Sequence, residues 1–216
     1  SDFRKNASRV ARALETCPPA AIEVLDLRLP EGASRDAALE AFDLLGARRA
    51  APAGDWASRL CRLSDAVPAE WRRRVAERLD RFRAELDATR RAFEFSDCSL
   101  GNLVFAGSFL ACGRRFNDAV DDYCALVGLP PGLVDDVTDG TNAFLVALDA
   151  DGRLLASEGE IVDATRQNRI ADIYLIDAAI EDADRERLGR LDRRALAEAL
   201  EHREVRPALN PRVAAA

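Results

Sequence analysis

Asp97-Cys98-Ser99-Leu100-Gly101-Asn102-Leu103, near the middle of a 216-residue chain, sets a small polar turn directly ahead of an apolar run. Ser99 is a capping residue, since its hydroxyl can accept a backbone N–H that the first turn of a helix leaves without a partner. Gly101 has no Cβ and lets another group come close to the main chain, and Asn102 carries a donor and an acceptor beside the positive end of the helix dipole. Such a turn has two uses: it is an ordinary helix start, or it is a helix N-terminus that receives an anion.

Downstream of this turn, residues 103–112 and 116–126 have helical spacing, the second with Phe116, Ala119, Val120, Tyr123 and Leu126 on one face. Strands are expected at 133–137, 143–148, 153–156 and 170–176, with Asp149-Ala150-Asp151-Gly152 turning the second into the third. Residues 184–200 form an amphipathic helix through Leu188, Leu191, Leu196 and Leu200, and the tail 201–216 is expected to fray.

Upstream, residues 6–15 read as a helix with Val10, Ala13 and Leu14 inward. Residues 22–29 read as a strand or an irregular edge, because Leu25, Leu27 and Leu29 alternate with Asp26 and Arg28. A helix over 34–45 has Ser34 as N-cap and Gly46 as C-cap, and residues 49–53 followed by Gly54 mark a break in the chain. Residues 68–93 are strongly helical, with Val75, Leu79, Phe82, Leu86 and Phe93 on one stripe. The opposite face carries Arg72, Arg73, Arg78, Arg81, Arg83, Arg90 and Arg91, read as a solvated face paired with Glu77, Asp80, Glu85 and Asp87 in preference to a nucleotide or protein surface.

Ser99-Leu100-Gly101-Asn102-Leu103, followed by Phe105-Ala106 and a second helix, resembles the SLGNL segment of the CofD/YvcK-like superfamily. That superfamily contains the 2-phospholactate transferases of deazaflavin coenzyme synthesis and YvcK-type regulators that bind uridine-diphosphate sugars. Ser1-Asp2-Phe3-Arg4-Lys5-Asn6 resembles the family's Gly-Asp-x-Arg-Asn segment, with Asp2 and Arg4 on the matching positions. Val137-Thr138-Asp139-Gly140-Thr141-Asn142, residues 143–148, Asp151-Gly152 and Ser157-Glu158-Gly159-Glu160-Ile161 resemble its β-hairpin and Gly-Glu-x-x-Ile ending. The likeness covers residues 1–6 and 95–177, a little under half of the chain. It also has departures. No strand and glycine-rich phosphate turn precede Ser1, no Gly-Pro-Gly-Ser-like segment follows Asp177, and Cys98 stands where many relatives have His. The chain is therefore expected to begin inside the fold.

The resemblance implies an α/β fold: one domain over 1–216, three-layered around a Rossmann-like, mainly parallel sheet with flanking helices, a helical insertion at 34–93 and a β-hairpin. It implies a transferase that moves a phospho-hydroxyacid group, of 2-phospholactyl type, from a nucleoside diphosphate to an acceptor alcohol. The alternatives are a non-catalytic regulator that binds a uridine-diphosphate sugar and a structural fragment of a larger protein. Asp2, Arg4 and Asn6 are then expected on the nucleotide diphosphate, with Asp2 also on a magnesium ion, and Ser99, Gly101 and Asn102 on phosphate or acceptor. Cys98, Asp139, Thr141 and Asn142 form a weaker group, Asp-Gly-Thr-Asn being equally a turn without a ligand. No catalytic residue is assigned. The expected assembly is a homo-oligomer, with the helical block as lid or dimer contact.

Composition narrows the classes further. The chain is long enough for one sizeable core that buries roughly 70% of its unfolded surface. With 48% hydrophobic and 32% charged residues it has a globular composition, and its apolar runs fall far short of the about 20 residues of a membrane helix, so a cytoplasmic, membrane-free protein is expected. A net charge of −7, from 31 basic and 38 acidic residues, argues against a general nucleic-acid surface. Lys5 is the only lysine, so nearly all positive charge is arginine, the residue suited to bidentate phosphate contacts and also the one favoured by an alanine-rich composition. Five cysteines without a Cys-x-x-Cys pair indicate neither a disulfide framework nor a zinc site, and His202, the only histidine, lies in the tail, which removes histidine-based triads and multi-histidine metal centres.

Overall fold

Ser99 caps a helix as its sequence position predicts, and six further helices precede or follow that one among the described residues of the larger of two units. The computed structural model describes residues 3–46, 54–90, 92–163 and 169–210. The chain divides into a first unit, Ser1–Val137 with Asn210–Ala216, and a second, Thr138–Leu209.

The first unit is helical among its described residues: α1 (Phe3–Leu14), α2 (Pro19–Asp26), α3 (Arg35–Leu45), α4 (Asp55–Asp65), α5 (Ala69–Thr89), α6 (Leu100–Ala111) and α7 (Phe116–Leu126). Ser34 caps α3 by accepting the Ala37 N–H at 3.2 Å, as expected. Where residues 22–29 were expected to be extended, α2 forms instead. Pro19 suits a first helical turn, Ala21, Ile22, Val24 and Leu25 bury at helical spacing, and only Leu27 to Leu29 keep the extended alternation. Helix α4 had no counterpart in the sequence reading. Its buried stripe is only Ala57, Leu60 and Ser64, too short and too small to announce a helix. Helix α5 stops at Thr89 with Arg90 in the left-handed conformation, so Phe93 leaves the helical stripe and packs beside Phe82 and Phe95 at ring distances of 5.2 and 4.8 Å.

The core of this unit is built on Ile22, Leu25, Phe42, Leu45, Leu60, Leu79, Leu100, Leu103 and Tyr123, each contributing about 1.5–3 kcal/mol by leaving water. Two glycines of α6 set how close its neighbours come. A Cβ on Gly107 would lie 1.9 Å from the Arg78 carbonyl oxygen of α5, and one on Gly101 would lie 2.8 Å from the Leu25 carbonyl oxygen of α2. Half-buried Arg78 also ties α5 to α7 through Asp122 at 2.5 Å. Of the other α5 arginines, Arg73 pairs with Glu70 and Glu77 and Arg83 with Asp43 at 2.8 Å, while Arg74 donates to the Ala125 carbonyl at 3.2 Å. Helices α3, α4 and α5 thus share one core with α2 and α6.

The second unit carries the sheet: β1 (Phe144–Asp149), β2 (Leu154–Leu155) and β3 (Ile170–Ile176), in the order β2-β1-β3, with both pairings antiparallel. This corrects the mainly parallel, three-layer arrangement. A parallel neighbour needs a crossover long enough to return to the same end, usually a full helix, and among its described residues the segment between β2 and β3 holds only the one-turn α8 (Glu158–Ile161). In register, Leu145 faces Leu175 and Ala147 faces both Ile173 and Leu155. Val146, Leu148, Tyr174 and Ile176 pack with Leu188, Leu196 and Leu200 of α9 (Asp182–Leu188) and α10 (Arg193–Glu201). The single helix expected over 184–200 is two, because Asp192 starts the second by accepting the Ala195 N–H at 2.9 Å. Residues 133–137 form no strand; Leu133 donates back to Pro130, and both Leu133 and Val137 are exposed.

Much of the tail expected to fray is fixed. Val205 donates to the Leu175 carbonyl at 2.8 Å alongside β3, Leu209 bridges Thr138, and the Asn210 side chain, 2% exposed, donates to the Asp136 carbonyl at 2.9 Å. Residues 211–216 and the expected break at 49–53 lie outside the described residues.

Candidate functional site

The N-terminus of α6 is built by two chain segments that pair in antiparallel fashion, with Arg28 bridging Ser99. Leu29 donates to the Cys98 carbonyl at 2.9 Å, and Leu100 donates to the Leu27 carbonyl at 2.8 Å. Gly32 donates to the Ser96 hydroxyl at 2.8 Å. Within the turn, Ser99 accepts the Asn102 N–H at 3.2 Å and is buried. Asp97 has φ +53, a left-handed conformation that Asp tolerates better than most residues. Its carboxylate accepts both Nε and Nη2 of Arg28, at 2.6 and 2.9 Å.

Arg4 reaches the same place from α1, its Nη1 donating to the Ser99 hydroxyl at 3.1 Å across a sequence separation of 95 residues. Arg4, from the first stretch of the resemblance, therefore meets Ser99, from the second, with exposed Asn102 at the surface of the turn. Asn6 is exposed on α1. Asp2, expected on nucleotide and magnesium, lies outside the described residues.

Gly101 has a different neighbour from the one expected. It is buried, and the position of its absent Cβ is bounded by the Leu25 carbonyl and the Tyr123 hydroxyl at 2.9 Å, so it gives α6 close passage over α2. The Leu100 and Asn102 amides are likewise donated within the protein. The side chains near this helix end are the Arg4 guanidinium, the exposed Asn102 amide and the Ser99 hydroxyl, while the Arg28 guanidinium is taken up by Asp97.

Hydrogen bonding from Arg28 holds the Asp97 carboxyl below its ordinary range against the opposing cost of desolvation, with a further lowering by the Arg28 charge. Burial pushes the Cys98 thiol up, and the Asn102 side chain, Arg28 and Arg4 only partly offset it. A raised thiol stays protonated near neutrality, so Cys98 serves as a weak neutral donor, here toward the Ser99 carbonyl at 3.8 Å. The groups assembled can bind and align an oxyanion by charge-assisted hydrogen bonds, and none is a base poised near neutral pH.

Asp139, Thr141 and Asn142 belong to the second unit and are exposed. Asp139 accepts the Thr141 N–H at 2.9 Å and its hydroxyl at 2.7 Å, bonds that lower its carboxyl and close a local turn. Arg28 was missed as a site residue, because in sequence it served only to mark an alternating pattern; nothing local announces a partner at Asp97. Among the described residues no group of three or more His, Cys, Asp or Glu is placed to hold a metal ion, and no helix is long and apolar enough to cross a membrane. A cleft of about 730 Å³ lies at the α1–α2 elbow, lined by Arg12, Cys17, Pro18 and Ile22 among others, and contains none of the predicted residues. Comparison with protein-family models, curated proteins and solved structures finds no match.

Proposed function

We propose that the first unit binds the diphosphate of a nucleotide through Arg4, Ser99 and Asn102, as part of a CofD-like transferase that passes a phospho-hydroxyacid group of 2-phospholactyl type to an acceptor alcohol. The supporting observation is the meeting of Arg4 with the cap of α6, at 3.1 Å, between segments that resemble the same superfamily separately. Support comes from these residues and not from the sheet, which is antiparallel.

In that reaction the acceptor oxygen bonds to phosphorus, the phosphoanhydride bond breaks and nucleoside monophosphate leaves. Phosphoryl transfer asks mainly for alignment and for stabilisation of charge on the phosphate oxygens. Arg4 supplies a fixed positive charge and a planar donor set, and Asn102 offers a further donor at the surface. No described side chain is assigned the acceptor's proton. The magnesium ion implied by the resemblance would be held by Asp2; the described residues provide no ligand set of their own, and no step is assigned to the ion. A cytoplasmic homo-oligomer belongs to the same proposal.

A panel of guanosine and uridine diphosphates and their sugar conjugates, with and without magnesium, tests the proposal by thermal shift. Ligand at a hundred times its dissociation constant adds about 2.7 kcal/mol and raises the midpoint by about 5–10 °C for a chain of this size. A shift selective for one base is the expected result, and no shift with any nucleotide overturns it. Turnover with candidate acceptor alcohols then separates the transferase from a uridine-diphosphate-sugar regulator, which binds without turnover.

A further inference from the structure

We propose that Arg28 and Asp97 act together as the positioning pair of this site, clamping the turn that presents Ser99 and Asn102 to a phosphate-bearing ligand; the inference rests on the nucleotide-binding proposal above. Three observations converge on it. The first is the geometry of the pair, two parallel hydrogen bonds at 2.6 and 2.9 Å between residues 69 apart in sequence, although both side chains are more than half exposed. A bidentate guanidinium–carboxylate contact fixes orientation as well as distance, which a lysine in the same place would not do.

The second is where the pair sits. Asp97 holds φ +53 two residues ahead of the helix cap, a left-handed conformation that Asp adopts more readily than most residues, so the turn can take this shape while a distant partner fixes its orientation. Arg28 grips the Asp97 carboxylate from a backbone that is itself anchored: its carbonyl accepts the Trp56 indole N–H at 2.7 Å, and its neighbours Leu27 and Leu29 pair with Leu100 and Cys98. The third is that Arg4 donates to Ser99, the residue that Arg28 bridges along the main chain. Any slackening at Asp97 therefore moves the hydroxyl that Arg4 meets and the amide of Asn102.

An exposed ion pair contributes little to global stability, so a merely structural role predicts small effects everywhere. A positioning role predicts a local and shared effect. Hydrogen exchange on the unliganded chain reads it without any ligand. Arg28→Ala and Asp97→Asn each speed exchange of the Leu100 and Asn102 amides about tenfold or more, and the double variant exchanges no faster than either single one. Unchanged exchange at those two amides overturns the inference.

Titration with uridine and guanosine diphosphates supplies the second arm. If the unaltered chain binds one of them, both single variants and Arg28→Lys weaken that binding about tenfold or more, with the double variant again equal to the singles. Binding that survives Arg28→Ala overturns the positioning role and leaves the site proposal standing. Tighter binding in Asp97→Asn also overturns it, because Arg28 would then be a ligand contact that Asp97 restrains. Failure of the unaltered chain to bind either nucleotide counts against the site proposal and, with it, this one.

Discussion

The turns at 97–102 and 139–142 look alike in sequence: each mixes Asp, Gly, Asn and a hydroxyl residue ahead of an apolar run. In the structure they are held by opposite means. The first is gripped from afar, by Arg28, Leu27, Leu29 and Gly32 on one side and Arg4 on another. In the second, the Asp139 carboxylate is satisfied by the residue two places on, and the Asp139 amide donates to the Ala208 carbonyl at 2.8 Å. A polar turn whose side chains are occupied by their own neighbours has its geometry without a ligand. In the first turn Arg28 is paired with Asp97, and Arg4, brought in from α1, supplies the positive charge that a phosphate can use.

The largest effect that tests this contrast is steric. Gly107→Ala places a methyl group against the Arg78 carbonyl and forces α6 away from α5, which costs the first unit about 3 kcal/mol or more, read as a lower denaturant midpoint. Equal stability of the variant would mean that the position of α6, and with it the grip on residues 97–102, is not set by that close passage.

Next come the caps. Ser99→Ala removes the side-chain acceptor of the Asn102 amide, which keeps only the Ser99 carbonyl, and leaves the Arg4 contact without its oxygen, a loss of about 1–2 kcal/mol. Thr141→Ala removes only an exposed bond inside its own turn, and a loss within about 0.5 kcal/mol is expected. Similar losses at the two positions would erase the contrast.

The smallest effect is on titration, and it separates the two turns by mechanism. Both Asp97 and Asp139 have carboxyls below the ordinary value of 3.8, so each contributes stability that is present above that value and is lost as pH falls through the lowered one. For Asp97 the cause is hydrogen bonding and charge from Arg28; for Asp139 it is the Thr141 hydroxyl and backbone amides. Raising salt to about 1 M therefore moves the Asp97 midpoint toward its ordinary value and leaves that of Asp139 in place, as carboxyl NMR titrations read directly. Parallel movement of both would contradict the distinction.

Local rules were legible where local physics decides. The caps at Ser34 and Ser99, helix α7, strand β3 and the Asp149–Gly152 turn all follow from spacing and from residues that favour one backbone state. Residues 22–26 were misread because Leu25 belongs to the helical stripe of α2 and also starts the alternation that Leu27 and Leu29 continue past the helix end, so a short apolar run carries both periods at once. The direction of the sheet was illegible for another reason. Strand pairing depends on the length of chain between partners, and a parallel sheet was inferred from a resemblance that does not cover that geometry. In the site, Ser99 and Asn102 were legible as a helix start and Arg4 only through the resemblance. Arg28 was not legible, since nothing within several residues of it foretells Asp97.

Isothermal titration of the preferred nucleoside diphosphate into the unaltered chain and into Arg4→Ala tests the central claim most directly. Loss of a charge-assisted contact to phosphate predicts binding weaker by about 10- to 100-fold in Arg4→Ala, at nearly unchanged thermal stability. Equal affinity in the two proteins would show that the ligand does not meet the Arg4–Ser99 junction, and would contradict the account.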